Sequence, residues 1–120
     1  MKIVLVSYSA GRALTLQKVL EAQGYDVLAM GGSGDKIFRE MKTLAPELGA
    51  VVLDLASHPS HTHEVGDALA KTKQFADIPR LWLDGKDEDR QKVSKKISPR
   101  ERFVTVDELE GELRKIKEDN

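Results

Sequence analysis

The sequence predicts an α/β domain built on a five-stranded parallel sheet. Two observations carry that expectation. Short β-branched runs alternate with longer stretches of helical spacing, five times along 120 residues, and strands separated by helices run parallel through right-handed crossovers. The runs at residues 2–6 and 50–55 are also nearly continuous in apolar side chains, the mark of strands buried on both faces. At roughly 20–25 residues per unit the chain holds one domain, residues 1–120, and leaves no room for a second.

Each element has a local reason. Lys2-Ile3-Val4-Leu5-Val6 forms the first strand, and Ser9-Ala10-Gly11-Arg12 opens a helix with an apolar stripe of Leu14, Val19 and Leu20, stopped by Gly24. Residues 25–30 read as the second strand, closed by Gly31-Gly32-Ser33-Gly34. Ile37, Phe38, Met41 and Leu44 give the second helix its stripe, and Pro46 breaks it. The third strand, Ala50-Val51-Val52-Leu53-Asp54-Leu55, precedes a polar loop at residues 57–63 and a third helix carrying Val65, Leu69 and Phe75. Ile78-Pro79 leads into the fourth strand, Arg80-Leu81-Trp82-Leu83, with Trp82 in the core and Asp84-Gly85 at its end. Residues 86–96 are strongly charged and give a helix with a thin stripe, Val93 and Ile97. Residues 102–106 form a short fifth strand. A last helix carries Leu109, Leu113 and Ile116, with Asp107 as its N-cap and residues 117–120 prone to fray.

Composition excludes several classes of function. A net charge of −1 gives no field for nucleic acid or anionic membrane. The absence of cysteine removes disulfides, thiol catalysis and thiolate metal sites, and fits a reducing cytoplasm. The amino terminus enters a strand without the apolar stretch of a signal peptide, and no segment reaches membrane-spanning length.

Asp54 is the focus of the functional reading, because open α/β sheets place their chemistry at the carboxyl ends of the strands. With Val51-Val52-Leu53-Asp54 in the middle, Lys2-Ile3-Val4-Leu5-Val6 before it and Ile78-Pro79-Arg80-Leu81-Trp82-Leu83 after it, nearly the whole chain resembles the receiver domain of two-component response regulators. The resemblance implies a flavodoxin-like three-layer (βα)5 sandwich of strand order 2-1-3-4-5, with Asp54 as phosphoacceptor. It also implies partners for that aspartate: two acidic residues ending strand one for Mg²⁺, a Ser or Thr ending strand four, and a Lys ending strand five. Here those positions hold Ser7 and Tyr8, Asp84, and Val106. A hard cation needs oxygen ligands, and phosphoryl transfer needs its developing negative charge neutralised. The expected Mg²⁺ site is therefore lost, no cofactor is expected, and the reading is a pseudo-receiver that is not an enzyme. Phe103 lies near the family's aromatic switch position on the signalling face.

The first expectation is thus a stand-alone cytoplasmic signalling module that acts by protein–protein contact, its partner a histidine kinase or another signalling protein. A second is a weakened but genuine phosphorelay receiver that uses Asp54. A third is a small metal- or ligand-binding protein built on Asp54, Asp84 and the segment His58-Pro59-Ser60-His61-Thr62-His63. That segment holds every histidine and reads as an insertion at the mouth of the site. His58, His61 and His63 are candidate metal ligands, with Glu64 or Asp54 completing a set; a solvated loop with capping by Ser60 or Thr62 is the simpler account. The glycine-rich turn at 31–34 lacks the lysine of a P-loop, and Ser9 to Arg12 offers a slightly better anion site because Arg12 adds charge.

Overall fold

The computed structural model describes residues 1–119, so the carboxyl-terminal part of the segment expected to fray, Asn120, lies outside the described residues. Five strands, β1 (Lys2–Val6), β2 (Asp26–Met30), β3 (Leu48–Asp54), β4 (Arg80–Leu83) and β5 (Glu101–Val104), form one sheet of order β2-β1-β3-β4-β5. Every pairing is parallel. The helices are α1 (Ala10–Ala22), α2 (Gly34–Leu44), α3 (Pro59–Lys71), α4 (Asp87–Ser94) and α5 (Val106–Asp119).

Strand alternation sorts the core into two layers. Ile3, Leu5, Ala50, Val52, Leu81, Leu83 and Val104 point to one face, where Leu16 and Leu20 of α1 and Leu109 and Leu113 of α5 cover them. Val4, Val6, Val51, Leu53 and Trp82 point to the other, against Ile37 and Met41 of α2, Val65 and Leu69 of α3 and Val93 of α4. The central strands β1 and β3 are buried on both sides, while the edge strand β2 alternates between buried and exposed residues.

Several details depart from the sequence-based expectations, among them Ile97, which lies beyond the end of α4 and is exposed instead of joining Val93 in its stripe. The buried stripe of α1 is Leu16 and Leu20; Leu14 and Val19 are exposed, because residues four apart share a face and Leu14 lies opposite it. Phe75 is fully buried in the core layer under α2 and α3 but follows α3 in a turn. Strand β3 starts at Leu48, two residues early, and Leu55 lies beyond its end. Strand β5 covers 101–104, so Val106 opens α5 and is exposed. Finally, α5 is capped by Thr105 and not Asp107: the Glu108 amide donates to Thr105 Oγ1 (3.3 Å), and the Thr105 amide donates to Glu108 Oε1 (2.9 Å), a reciprocal capping box.

A polar centre within the core lies at the amino ends of β4 and β5. Arg80 and Glu101 are both buried, 3.5 Å apart, and the Trp82 indole donates to Glu101 Oε1 at 3.1 Å. Arg80 Nη1 donates to the carbonyls of Phe75, Ala76 and Ile78, which fixes the α3–β4 connection. Trp82 is thus in the core, and its N–H has a partner.

Candidate functional site

At the opposite end of the sheet, the carboxyl tips of β1, β3 and β4 converge on Asp54, which is 0% exposed. Both of its oxygens are occupied. Oδ2 accepts from Ser7 Oγ and Arg12 Nε, each at 2.9 Å, and from Ser57 Oγ at 3.3 Å. Oδ1 accepts from Arg12 Nη2 at 3.0 Å and from the Ala56 amide at 3.1 Å. The guanidinium therefore grips the carboxylate through two nitrogens, the strongest geometry available to such a pair. The same Nη2 reaches Asp84 Oδ2 at 3.0 Å, so one arginine bridges the ends of β3 and β4. Those hydrogen bonds to Asp54 and Asp84, Asp54 foremost, raise the Arg12 pKa further above its ordinary value, although partial burial opposes them.

Local structure explains how Arg12 gets there. Ser9 caps α1 by accepting from the Arg12 amide at 3.4 Å, so the arginine stands in the helix's first turn directly above the strand tips. Gly31, just past β2, allows the chain to pass over the Ser7 carbonyl, where any Cβ would collide. Asp84 has left-handed backbone, φ 55°, and Gly85 follows at φ 93°. A Cβ on Gly85 would stand 2.7 Å from that of Leu55, so glycine is required by space as well as by φ.

The histidine segment is not a loop insertion. Only residues 55–58 separate β3 from α3, and Pro59 starts the helix at the position where its missing N–H costs nothing. His58 precedes it with left-handed backbone, φ 42°. Thr62 lies buried and donates toward the carbonyls of Asp54 and Ser57, at 3.2 and 3.1 Å, tying the helix to the strand end. Neither Ser60 nor Thr62 caps the helix, and no side chain does so.

His63 parts from the other two histidines, whose ring centroids lie 5.8 Å apart. His58 and His61 meet the Tyr8 ring edge-on, with centroids 6.1 and 5.5 Å away, whereas His63 turns toward Trp82 and lines a cleft of about 280 Å³ with Leu55, Glu64, Asp89 and Lys92. Among the described residues no three His, Asp or Glu gather as a set able to hold a metal ion. The Tyr8 hydroxyl donates to the Gly32 carbonyl at 3.0 Å, and burial first, then the nearby Glu64, raises its pKa.

Of the other positions singled out in the sequence, Ser7 and Asp84 join the site, Tyr8 walls it, and Val106 stays outside at the surface. Phe103 is half-buried under the Arg90 guanidinium, 5.4 Å from the ring centroid. Arg12, expected to favour an external anion, meets internal ones, Asp54 and Asp84. Ser57, which nothing in the sequence distinguishes from the rest of its polar segment, also joins the site and accepts from the Tyr8 amide at 3.0 Å.

No family model matches the sequence, and no curated protein matches it. Solved structures do. The signal receiver domain of a signal transduction histidine kinase from Syntrophus aciditrophicus superposes with a TM-score of 0.78 at 17% identity, over 98% of this chain and 90% of that one. This chain has the receiver fold. A receiver-domain response regulator from Bermanella marisrubri gives 0.76 at 17% identity, covering 97% of both chains. A putative response regulator from Chloroflexus aurantiacus gives 0.76 at 16% identity, over 96% and 95%. Among the described residues, no helix of this receiver fold is long and apolar enough to cross a membrane.

Proposed function

We propose that the chain is a receiver-type signalling module that works through protein contacts, without Mg²⁺-dependent phosphorylation and without turnover, and whose partner is a histidine kinase or another signalling protein. One observation carries this reading: the Arg12 guanidinium sits on Asp54, where a receiver's chemistry requires a free carboxylate beside a bound cation. Mg²⁺ demands near-octahedral oxygen ligands at about 2.0–2.1 Å. The donors present do not fit it. Ser7 and Tyr8 offer no carboxylate at the tip of β1, both Asp54 oxygens already accept hydrogen bonds, and a fixed positive charge lies 2.9 Å away. Asp84 brings a negative charge to the tip of β4, where incoming phosphoryl oxygens would be repelled.

The test is incubation with acetyl phosphate and Mg²⁺, read by intact mass and by amide shifts on adding beryllofluoride. The reading expects neither adduct nor shifts around Asp54. A stoichiometric gain of one phosphoryl group that vanishes in Asp54→Asn would replace it with the phosphorelay alternative.

A further inference from the structure

We infer that Arg12 is an internal tether that holds the β4–α4 turn, and with it α4, in one fixed arrangement, taking the place of any signal-dependent event at the strand tips. The inference rests on the reading of the site given above, in which a guanidinium rather than a metal neutralises Asp54.

The first support is connectivity. Arg12 Nη2 lies 3.0 Å from both Asp54 Oδ1 and Asp84 Oδ2, so a single nitrogen joins the ends of β3 and β4. Asp54 cannot move in response, since it is fully enclosed and held by Ser7, Ser57 and the Ala56 amide. The Arg12–Asp84 bond therefore pulls the turn toward a rigid anchor.

The second support is backbone geometry. Asp84 and Gly85 both have positive φ, at 55° and 93°. An aspartate enters that region at a cost, which a specific contact must offset. Its amide donates to the Val104 carbonyl at 2.9 Å and its side chain pairs with Arg12, so both ends of the residue are fixed.

The third is how lightly α4 is otherwise held. Only Val93 of its eight residues is buried. Beyond that it contributes Arg90 stacked over Phe103. A helix with so little packed surface takes its position from the turn that launches it, and such segments open most readily.

The experiment is amide hydrogen exchange on the wild type, Arg12→Gln and Asp84→Asn, with no phosphodonor present. Asparagine tolerates positive φ, so Asp84→Asn keeps the turn while weakening the charged bond. Asp84→Asn should exchange the amides of residues 84–94 roughly tenfold faster, the loss of one charge-assisted bond, while α5 amides stay unchanged; Arg12→Gln, which also releases Asp54, should accelerate residues 84–94 more than it accelerates α5. The double variant should add little to Arg12→Gln, which has already broken the Arg12–Asp84 link. Unchanged exchange in α4, or an equal acceleration in every helix, would overturn the tether. Arg12→Gln can fail to fold, and Asp84→Asn then decides alone. A phosphoryl adduct on the wild type would overturn the proposed function but not this exchange pattern, so the two fail separately.

Discussion

Replacing Arg12 with alanine should destabilise the fold by about 2–3 kcal/mol, given that hydrogen bonds to charged groups contribute about 1.5–3 kcal/mol. Asp54 is 0% exposed and loses two such bonds at once, at 2.9 and 3.0 Å. Stranding one member of a fully buried pair costs about 3–5 kcal/mol. The Arg12 side chain, however, is 36% exposed, so water already screens it and can partly fill its place, which lowers the figure. Ser7, Ser57 and the Ala56 amide still solvate the carboxylate. Adding Asp54→Asn to Arg12→Ala removes the stranded charge and keeps a carbonyl for Ala56, so about half of the loss should return. Urea denaturation followed by fluorescence of Trp82, the single tryptophan, reads both variants as midpoint shifts at constant slope. A loss below about 0.5 kcal/mol in Arg12→Ala, the usual range of an exposed pair, would refute the claim that the guanidinium neutralises Asp54. So would a double variant less stable than the single one.

At the other end of the sheet, Glu101→Ala should cost about 3 kcal/mol in the same assay, because it strands Arg80, 1% exposed, and orphans the Trp82 indole N–H. Glu101→Gln, which can still accept from Trp82, should cost less. Gly66→Ala should cost about 1–3 kcal/mol by overpacking, since its methyl would collide with the Trp82 ring, and Trp82→Phe should relieve part of it. Tyr8 and Tyr25 both have pKa values raised above 10.0, chiefly by burial. Folding thus favours the protonated phenols. Their contribution to stability is whole below about pH 10 and is lost as pH rises through the folded values. Ultraviolet difference titration should show ionisation above the ordinary tyrosine range, with one of the two transitions absent in Tyr8→Phe.

The sheet was legible because its signal is periodic and local. Val4, Val6, Val51 and Leu53 alternate with Ile3, Leu5, Ala50 and Val52, and that pattern alone sets which face each side chain takes. Boundaries were harder where two local signals compete. Thr105 and Val106 are β-branched and extended the fifth strand on paper, yet Thr105 and Glu108 also stand at capping-box spacing, and the cap won. Pro59 likewise announces a helix start, but three histidines around it drew the reading toward a loop. The site's main contact had no local signature at all. Arg12 meets Asp54 across 42 residues and Asp84 across 72, and no spacing rule covers a pairing that only the folded sheet creates. The sequence put Ser7, Tyr8, Asp84 and Val106 where the receiver resemblance implies other side chains; it did not show that Arg12 meets Asp54.

The occupied carboxylate also constrains how this chain could change over generations. Ser7 is 4% exposed, with its hydroxyl 2.9 Å from Asp54 Oδ2, so an aspartate there would set two buried carboxylates against a single guanidinium. Removing Arg12 first would strand Asp54, and exchanging Asp84 first would free the arginine's second contact without creating a metal ligand. Each of these single substitutions is therefore opposed by the contacts already in place. The arginine couples Ser7, Asp54 and Asp84, so a further carboxylate at the strand tips would be accommodated only together with a change at one of its partners.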